Sequence, residues 1–262
     1  MWTTNIVPVM VDYERHGPIA VITVNRPEAR NAINGEVAEG IEAAIDRVEG
    51  DDEVWVGVVG HVGPVFSAGA DLKEIAAGNA ARLSTERGGF AGLVRRERTK
   101  PLIAAVDGPA LAGGCEVVLA CDLTVASTAA SFGLPEVSRS LVAAAGGLFR
   151  LPRTLPLAVA QQVVLTGQPI SAERAWQLGM VNELCEPGQA RAAAVDLAER
   201  VCANAPVAVR LSRQVLLGSL GQGDDEGWRL TADAFRTVAR TEDFHEGPRA
   251  FIEKRPPTWL GR

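Results

Sequence analysis

The chain has 262 residues, of which 47% are hydrophobic and 22% are charged, which is enough apolar material for one main globular core. Its 26 lysines and arginines against 32 aspartates and glutamates give a net charge of −6, which argues against a nucleic acid partner. No apolar run approaches the ~18 residues of a membrane span, and the first residues lack the pattern of a secretory signal. We therefore expect a cytoplasmic protein with no membrane partner.

The first half of the chain alternates between predicted strands and helices. Four apolar or β-branched runs predict buried strands, at residues 19–24, 54–59, 102–106 and 123–126. Apolar residues at three- and four-residue steps predict a helix over 37–48, and a Gly-Gly turn opens a second helix at 115–120. This alternation predicts an α/β fold.

From about Leu157 onward the pattern is predominantly helical. Helices are predicted at residues 171–178, 195–202, 207–217 and 228–240. Residues 78–92 are polar and Gly-rich, which predicts a mobile surface loop or a loosely packed short helix, and such a loop is a candidate border of a ligand site.

Cysteine and histidine usage points away from metal chemistry. The four cysteines form no CxxC pair, which predicts buried reduced thiols, and the chain has only three histidines. The phosphate-binding patterns GxxxxGK[ST] and GxGxxG after a strand are absent from the sequence. We expect neither a bound metal nor a separate cofactor.

Two segments rich in small residues can present backbone N–H groups to a ligand. Gly113 and Gly114 open the helix at 115–120, and Ala70 lies in the segment 66–72 that follows a predicted strand. Converging N–H groups would form an oxyanion hole, which is worth roughly 3 kcal/mol per donor in other enzymes. From spacing alone, ordinary loop packing is an equal alternative.

Two glutamates are candidate catalytic acids. Glu116 lies in the first turn of an otherwise apolar helix, where a buried carboxylate is costly without a partner. Glu136 follows Pro135 on a loop after a strand. Taken singly, Glu116 is better explained by a favourable helix-dipole or capping position and Glu136 by an exposed loop acid.

The ordered set of short motifs resembles the crotonase (enoyl-CoA hydratase/isomerase) superfamily. The motifs are Asn25-Arg26-Pro27, Asn31-Ala32, Phe66-Ser-Ala-Gly-Ala-Asp71, Gly113-Gly-Cys-Glu116 and Phe132-Gly-Leu-Pro-Glu136. The resemblance implies a crotonase-like spiral of ββα repeats over residues 1–200. It also implies a C-terminal helical trimerisation region over 201–262, and assembly as a trimer or a dimer of trimers.

The resemblance also implies roles for individual residues. The N–H groups of Ala70 and Gly113 would bind the thioester oxygen of an acyl-CoA, and Glu116 and Glu136 would flank its α,β-bond. Coenzyme A is then part of the substrate rather than a cofactor. The substrate-binding and CoA-binding residues implied by the resemblance are Ala68, Asp71, Leu72, Lys73, Arg30, Phe235 and Lys254.

The predicted function is that of an enoyl-CoA hydratase, which adds water reversibly to the α,β-double bond. A carnitinyl-CoA dehydratase or another acyl-CoA lyase or isomerase of the superfamily is the main alternative, because the segment 89–93 and the C-terminal segment resemble carnitinyl-CoA dehydratases. A noncatalytic acyl-CoA-binding protein is the alternative from another class. Departures from the family pattern are Glu28, Ser140 and Ala144, the last two where hydratases commonly have glycine.

Overall fold

The computed structural model describes residues 10–262. Its strands, in chain order, are β1 (Val11–His16), β2 (Ile19–Val24), β3 (Val56–His61), β4 (Ser84–Thr85), β5 (Gly89–Phe90), β6 (Leu102–Val106), β7 (Ala110–Leu111), β8 (Leu123–Ser127), β9 (Ser131–Gly133), β10 (Ile170–Ser171) and β11 (Glu183–Cys185). Residues 1–9, the start of the predicted spiral and of the segment inspected for a signal, lie outside the described residues.

The α-helices are α1 (Gly35–Gly50), α2 (Leu72–Ala76), α3 (Gly113–Ala120), α4 (Gly147–Thr154), α5 (Leu157–Thr166), α6 (Ala172–Gln177), α7 (Ala190–Cys202), α8 (Pro206–Gly218), α9 (Asp224–Val238) and α10 (Glu242–Glu253). Short 3-10 helices span Pro27–Ala29, Ala80–Leu83 and Pro135–Arg139. The predicted alternation of strands and helices in the first half of the chain is confirmed.

The main sheet has six strands in the order β1-β2-β3-β6-β8-β11. Only the β1–β2 pair is antiparallel, and the other neighbours run parallel. Every residue of β2 and β6 is buried. Apolar residues of α1 pack on one face of the sheet and those of α7 on the other, which explains why these strands read as continuous apolar runs.

A second, smaller layer of strands gives the fold its spiral form. Strands β7, β9 and β10 form a three-stranded sheet, and single parallel bridges extend it, from Ser67 to Ala110 and from Ile33 to Ala70. Successive chain segments therefore contribute one strand to the main sheet, one to the small layer and then a helix. This is the expected crotonase-like spiral of ββα repeats.

The Gly-rich segment 78–92 is better ordered than the sequence indicated. It contains the Ala80–Leu83 helix and the β4–β5 hairpin, and Leu83 and Ala91 are buried. A Cβ on Gly92 would lie 2.2 Å from the carbonyl oxygen of Ala38 in α1. The predicted short helix is present and largely exposed at residues 80–82. The β4–β5 hairpin and the buried end of the segment were not predicted, and Gly92 allows the close backbone packing against α1.

The C-terminal helices are attached to the core by a half-buried ion cluster. Arg213 of α8 donates to Asp122 and to the carbonyl oxygen of Arg98, both at 2.8 Å, and Arg98 also pairs with Asp122. The predicted boundary at residue 200 falls inside α7, and the division into core and trimerisation region stays a prediction. Within residues 10–262, none of the helices has the length and apolarity needed to cross a membrane.

Candidate active site

A cavity of about 1090 Å³ opens between the first ββα turns, the β4–β5 hairpin and the segment after β9. Its volume is at the upper end of the range for small-molecule sites. Both predicted catalytic glutamates and both predicted N–H donors line it: Glu116, Glu136, Ala70 and Gly113. Segments far apart in the sequence therefore meet at one site.

The two small-residue segments are in direct contact. Ile33 donates to the Gly69 carbonyl oxygen at 2.8 Å and accepts from the N–H of Asp71 at 2.9 Å, so the N–H of Ala70 between them is turned away from Ile33. Gly113 is the first residue of α3, where N–H groups have no intrahelical acceptor. A Cβ on Gly69 would lie 2.8 Å from the Gly113 nitrogen, so the residue before Ala70 packs against the start of α3, and both Ala70 and Gly113 line the cavity.

The turn into α3 is held in an uncommon backbone conformation. Ala112 precedes the helix with φ 52° and ψ −129°, a combination that a residue with a Cβ rarely adopts. Its N–H donates to the carbonyl oxygen of Gly133 in β9 at 2.9 Å. This hydrogen bond from the small layer holds the turn that orients the Gly113 N–H.

Glu116 is buried, and backbone groups fix its carboxyl. Its Oε1 accepts hydrogen bonds from the N–H groups of Ala145 and Gly147, both at 2.8 Å. Burial raises the pKa of Glu116, and the charge of Glu136 adds to that effect, while the two N–H donors and the Arg150 guanidinium oppose it. The carboxyl is thus held in one place with a raised affinity for protons.

Glu136 has a different environment. It lies in the Pro135–Arg139 helix, and its Oε2 is buried without a hydrogen-bond partner among the described residues. Burial raises the pKa of Glu136, while its own backbone N–H and the charge of Arg139 act in the opposite direction. The sequence did indicate a loop acid, and the structure adds that this acid faces a cavity.

Five of the predicted substrate-binding residues line the cavity: Ala68, Asp71, Leu72, Lys73 and Arg30. Asp71 also has a structural task, because it pairs with Arg26 at 2.7 Å and accepts from the N–H of Lys73 at the start of α2. Lys73 and Arg30 are exposed at the cavity.

Phe235 and Lys254 lie on the C-terminal helices and do not line this cavity within one chain. Phe235 of α9 is 62% exposed and makes an edge contact with Phe244. Lys254 ends α10 in the left-handed conformation, with φ 54°. Their predicted role depends on a neighbouring subunit, and it stays a prediction.

Several residues that shape the site were not identified from the sequence. Arg150 of α4 donates to the carbonyl oxygens of Ala145 at 3.2 Å and Val94 at 2.6 Å. It thereby joins the loop that holds Glu116 to the segment after β5. The Gly146-Gly147 pair was the available signal, since glycines before a helix allow a close approach of backbone N–H groups.

The rest of the cavity wall is largely apolar. It includes Leu83, Phe90, Val94, Leu141 and Val142, and Phe90 packs so closely that a Cβ on Gly113 would lie 2.5 Å from its ring. This wall is suited to an acyl chain.

The departure at Ser140 has a backbone consequence. Ser140 ends the Pro135–Arg139 helix with φ 56°, which explains why glycine suits this position.

In the described part of the chain, no group of three or more His, Cys, Asp or Glu side chains is arranged to hold a metal ion.

Comparison with known proteins identifies the family. The family profile described as enoyl-CoA hydratase/isomerase matches residues 14–262. A short-chain-enoyl-CoA hydratase of Clostridium acetobutylicum is 37% identical over 247 residues, covering 92% of this chain and 94% of that protein. A carnitinyl-CoA dehydratase of Salmonella heidelberg is 38% identical over 254 residues, covering 95% and 97%.

Comparison with solved structures identifies the same family. The crystal structure of an enoyl-CoA hydratase from Mycobacterium tuberculosis superposes with a TM-score of 0.93 and 44% sequence identity, covering 97% of this chain and 100% of that one. The superposition covers nearly the whole chain. The chain belongs to the enoyl-CoA hydratase/isomerase family.

Proposed function

We propose that this protein is an enoyl-CoA hydratase that adds water across the α,β-double bond of an acyl-CoA thioester. The observation that carries the proposal is the meeting at one cavity of the buried Glu116, the partly buried Glu136 and the two segments that carry the N–H groups of Ala70 and Gly113. Each component alone has an ordinary structural explanation. Together they supply the proton transfers and the charge stabilisation that hydration requires.

The thioester oxygen would accept hydrogen bonds from the N–H groups of Ala70 and Gly113, which would form the oxyanion hole. When water adds to Cβ, negative charge moves through Cα to this oxygen, where fixed N–H dipoles stabilise it without reorganising. The water loses one proton to a carboxylate, and Cα gains one from a carboxylic acid. The product is a 3-hydroxyacyl-CoA, and no metal or further cofactor enters the reaction.

The surroundings of Glu116 and Glu136 indicate which glutamate acts as the base and which as the acid. Glu116 accepts two backbone N–H bonds, which favour its ionised form, so it would accept the proton of water. Glu136 has a buried oxygen without a donor, which favours its neutral form. We therefore assign Glu136 as the acid that protonates Cα. Two such groups also resist simultaneous ionisation, so one shared proton is expected.

The CoA portion would extend along the wall that carries Arg30 and Lys73, whose charges suit its phosphates. Ala68 and Leu72 lie on the same wall. We further propose a trimer or a dimer of trimers, in which Phe235 and Lys254 reach the CoA of a neighbouring subunit. A cytoplasmic role in β-oxidation of fatty acids follows from this proposal.

Dehydration of carnitinyl-CoA is the second candidate, because a carnitinyl-CoA dehydratase is as similar to this chain as a short-chain hydratase is. The chemistry is the same reaction run in reverse, and both glutamates serve it. The two candidates differ in the charge of the acyl tail.

The test is turnover of but-2-enoyl-CoA, followed by loss of the enoyl-thioester absorbance, together with turnover of longer enoyl thioesters and of carnitinyl-CoA. We expect hydration of an enoyl thioester to its 3-hydroxyacyl product, identified by mass spectrometry. Binding of CoA thioesters without turnover of any of them would instead indicate a noncatalytic acyl-CoA-binding protein.

A further inference from the structure

The residues lining the cavity carry several charges, but among the lining cations only Arg26 forms an ion pair within the described residues. Arg26 pairs with Asp71, and the β4–β5 hairpin region contributes Glu86 and Arg95, which have opposite charges. The other four cations that line the cavity form no ion pair within residues 10–262, and they are Arg30, Lys73, Arg95 and Arg139. Of these, Arg139 belongs to the same short helix as Glu136.

Arg139 lies close to Glu136, the proposed acid, because both residues belong to the same short 3-10 helix. It lies three residues after Glu136 in the Pro135–Arg139 helix, and side chains at i and i+3 of a 3-10 helix lie one above the other. Both residues line the cavity, and the charge of Arg139 acts on Glu136.

The guanidinium of Arg139 is available to a ligand. It is exposed, and it forms no ion pair within residues 10–262. If Glu136 carries the proton that is delivered to Cα, it does not neutralise this cation. An acyl group that extends past Glu136 therefore approaches an uncompensated positive charge.

We infer that the acyl end of the site prefers enoyl-CoA substrates whose distal end carries a carboxylate, and that Arg139 selects them. The inference rests on the proposed hydratase activity and names its substrate class. It also separates the two candidate functions, because the trimethylammonium tail of a carnitinyl group is a cation, and Arg139 repels it.

The experiment isolates charge from shape with two matched pairs of but-2-enoyl-CoA substrates substituted at C4. The first pair carries a carboxylate or a carboxamide, and the second a trimethylammonium or a tert-butyl group. An exposed ion pair gives a preference of a few-fold, and its sign reverses with the charge of the tail. We expect kcat/KM to be a few-fold higher for the carboxylate than for the carboxamide, and a few-fold lower for the trimethylammonium than for the tert-butyl substrate. The ratio of these two ratios is then about tenfold.

Variants of Arg139 test its part in this preference. In Arg139→Gln both ratios within the pairs fall towards one, and in Arg139→Glu they invert. Ratios within a pair cancel any effect of the substitution on Glu136. Arg153→Gln is the matched control, because Arg153 is an exposed arginine of α4 that does not line the cavity. Raising the ionic strength should reduce the wild-type ratios, since exposed charges are screened.

Some outcomes overturn the inference while leaving the hydratase proposal intact. These are hydration of uncharged but-2-enoyl-CoA with equal kcat/KM within both pairs, or ratios that Arg139→Glu leaves unchanged. Calorimetric titration with the saturated thioesters carrying the same four tails measures the preference without turnover. If no thioester is hydrated, the hydratase proposal fails, and equal affinities within both pairs in that titration overturn the preference for a carboxylate as well.

Discussion

The two carboxyl groups at the cavity are held in opposite ways. Glu116 belongs to the first turn of α3, and two N–H groups of the 145–147 loop fix one of its oxygens. Glu136 belongs to a short 3-10 helix, and one of its oxygens is buried with no donor among the described residues. The Glu116 carboxyl is therefore held by two N–H groups of a distant loop, whereas only the backbone N–H of Glu136 itself and the charge of Arg139 oppose the effect of burial on the pKa of Glu136.

This difference matters because burial raises both pKa values by the same physical cause. Hydrogen bonds from the backbone stabilise the anion of Glu116 and leave it ready to accept a proton. Glu136 has a buried Oε2 without a donor among the described residues and receives no such bonds from another segment, so it favours the acid. A pair of identical residues thus obtains two roles from its surroundings. Each of the following predictions tests one part of this contrast.

The largest effect is expected from removing either carboxyl. Glu116→Gln and Glu136→Gln should each lower kcat by about 10²- to 10⁴-fold, because each removes one of the two proton transfers. Binding of a saturated acyl-CoA should change little, since neither carboxyl contacts the CoA portion in the proposed mode. Steady-state kinetics and calorimetric titration measure the two quantities. Near-normal turnover in either variant would remove that glutamate from the mechanism.

A smaller loss is expected from disturbing the group that holds Glu116. A Cβ on Gly147 would lie 3.1 Å from both Cγ and Oε1 of Glu116, and 2.8 Å from Cδ1 of Leu134. Gly147→Ala should therefore displace the carboxyl and lower kcat by roughly 10- to 100-fold.

Gly227→Ala is the control for Gly147→Ala, because Gly227 lies in α9 with no atom within 4 Å of an added Cβ. Kinetics and thermal unfolding are measured for both variants. Equal activity of the two would mean that the position of Glu116 is not fixed by the loop.

Arg150 should affect the pH profile of the reaction. Its cation opposes the protonation of Glu116, while the facing charge of Glu136 promotes it. Arg150→Gln should raise the pKa of Glu116 and so move the acid limb of the kcat/KM profile to higher pH, with kcat lowered about tenfold by loosening of the loop. Arg150→Lys keeps the charge and should leave the acid limb in place.

Arg153→Gln serves as the control for Arg150→Gln. Both arginines belong to α4 and stack on Phe149, at 5.0 Å and 5.3 Å from the ring centroid, but Arg153 makes no contact with the 145–147 loop. A shift of the acid limb in Arg153→Gln equal to that in Arg150→Gln would show that general surface charge, rather than the position of Arg150, sets it.

The sequence predicted four of the six strands of the main sheet, and it singled out four candidate site residues, for physical reasons that act locally. Buried parallel strands need continuous apolar runs such as Ile19–Val24, and close backbone approach needs small residues such as Gly113. The family resemblance then linked motifs that lie far apart in the chain. Periodicity alone placed β3 two residues early, because Val54 is buried just before the strand begins.

The contacts that distinguish Glu116 from Glu136 could not be predicted from the sequence. The bond from Gly147 to Glu116 joins residues 31 positions apart, and the link from Arg150 to Val94 joins residues 56 apart. Neither of these two hydrogen bonds is indicated by a local sequence pattern. The β4–β5 hairpin within the segment 78–92 was missed for the same reason, since Gly92 packs against α1 and the composition alone resembles that of a loop.

The smallest predicted effect is on the melting temperature, and it compares the cost of burying the charge of Glu136 with that of Glu116. Because the pKa of Glu136 is raised on folding, the folded protein binds its proton more tightly than the unfolded chain does. The penalty for the buried charge is therefore present at neutral pH and disappears as the pH falls below the pKa of the unfolded chain. Glu136→Gln should raise Tm by about 2 °C at neutral pH, with no gain under acidic conditions.

Glu116→Gln should give a smaller gain in Tm, because the neutral amide accepts weaker hydrogen bonds from Ala145 and Gly147 than the carboxylate does. Thermal unfolding of both variants and the wild type across the acidic to neutral range tests this order. Equal gains at neutral pH would show that the two N–H donors do not stabilise the Glu116 anion. The assignment of Glu116 as base and Glu136 as acid would then lose its electrostatic basis, whatever the activities of the variants.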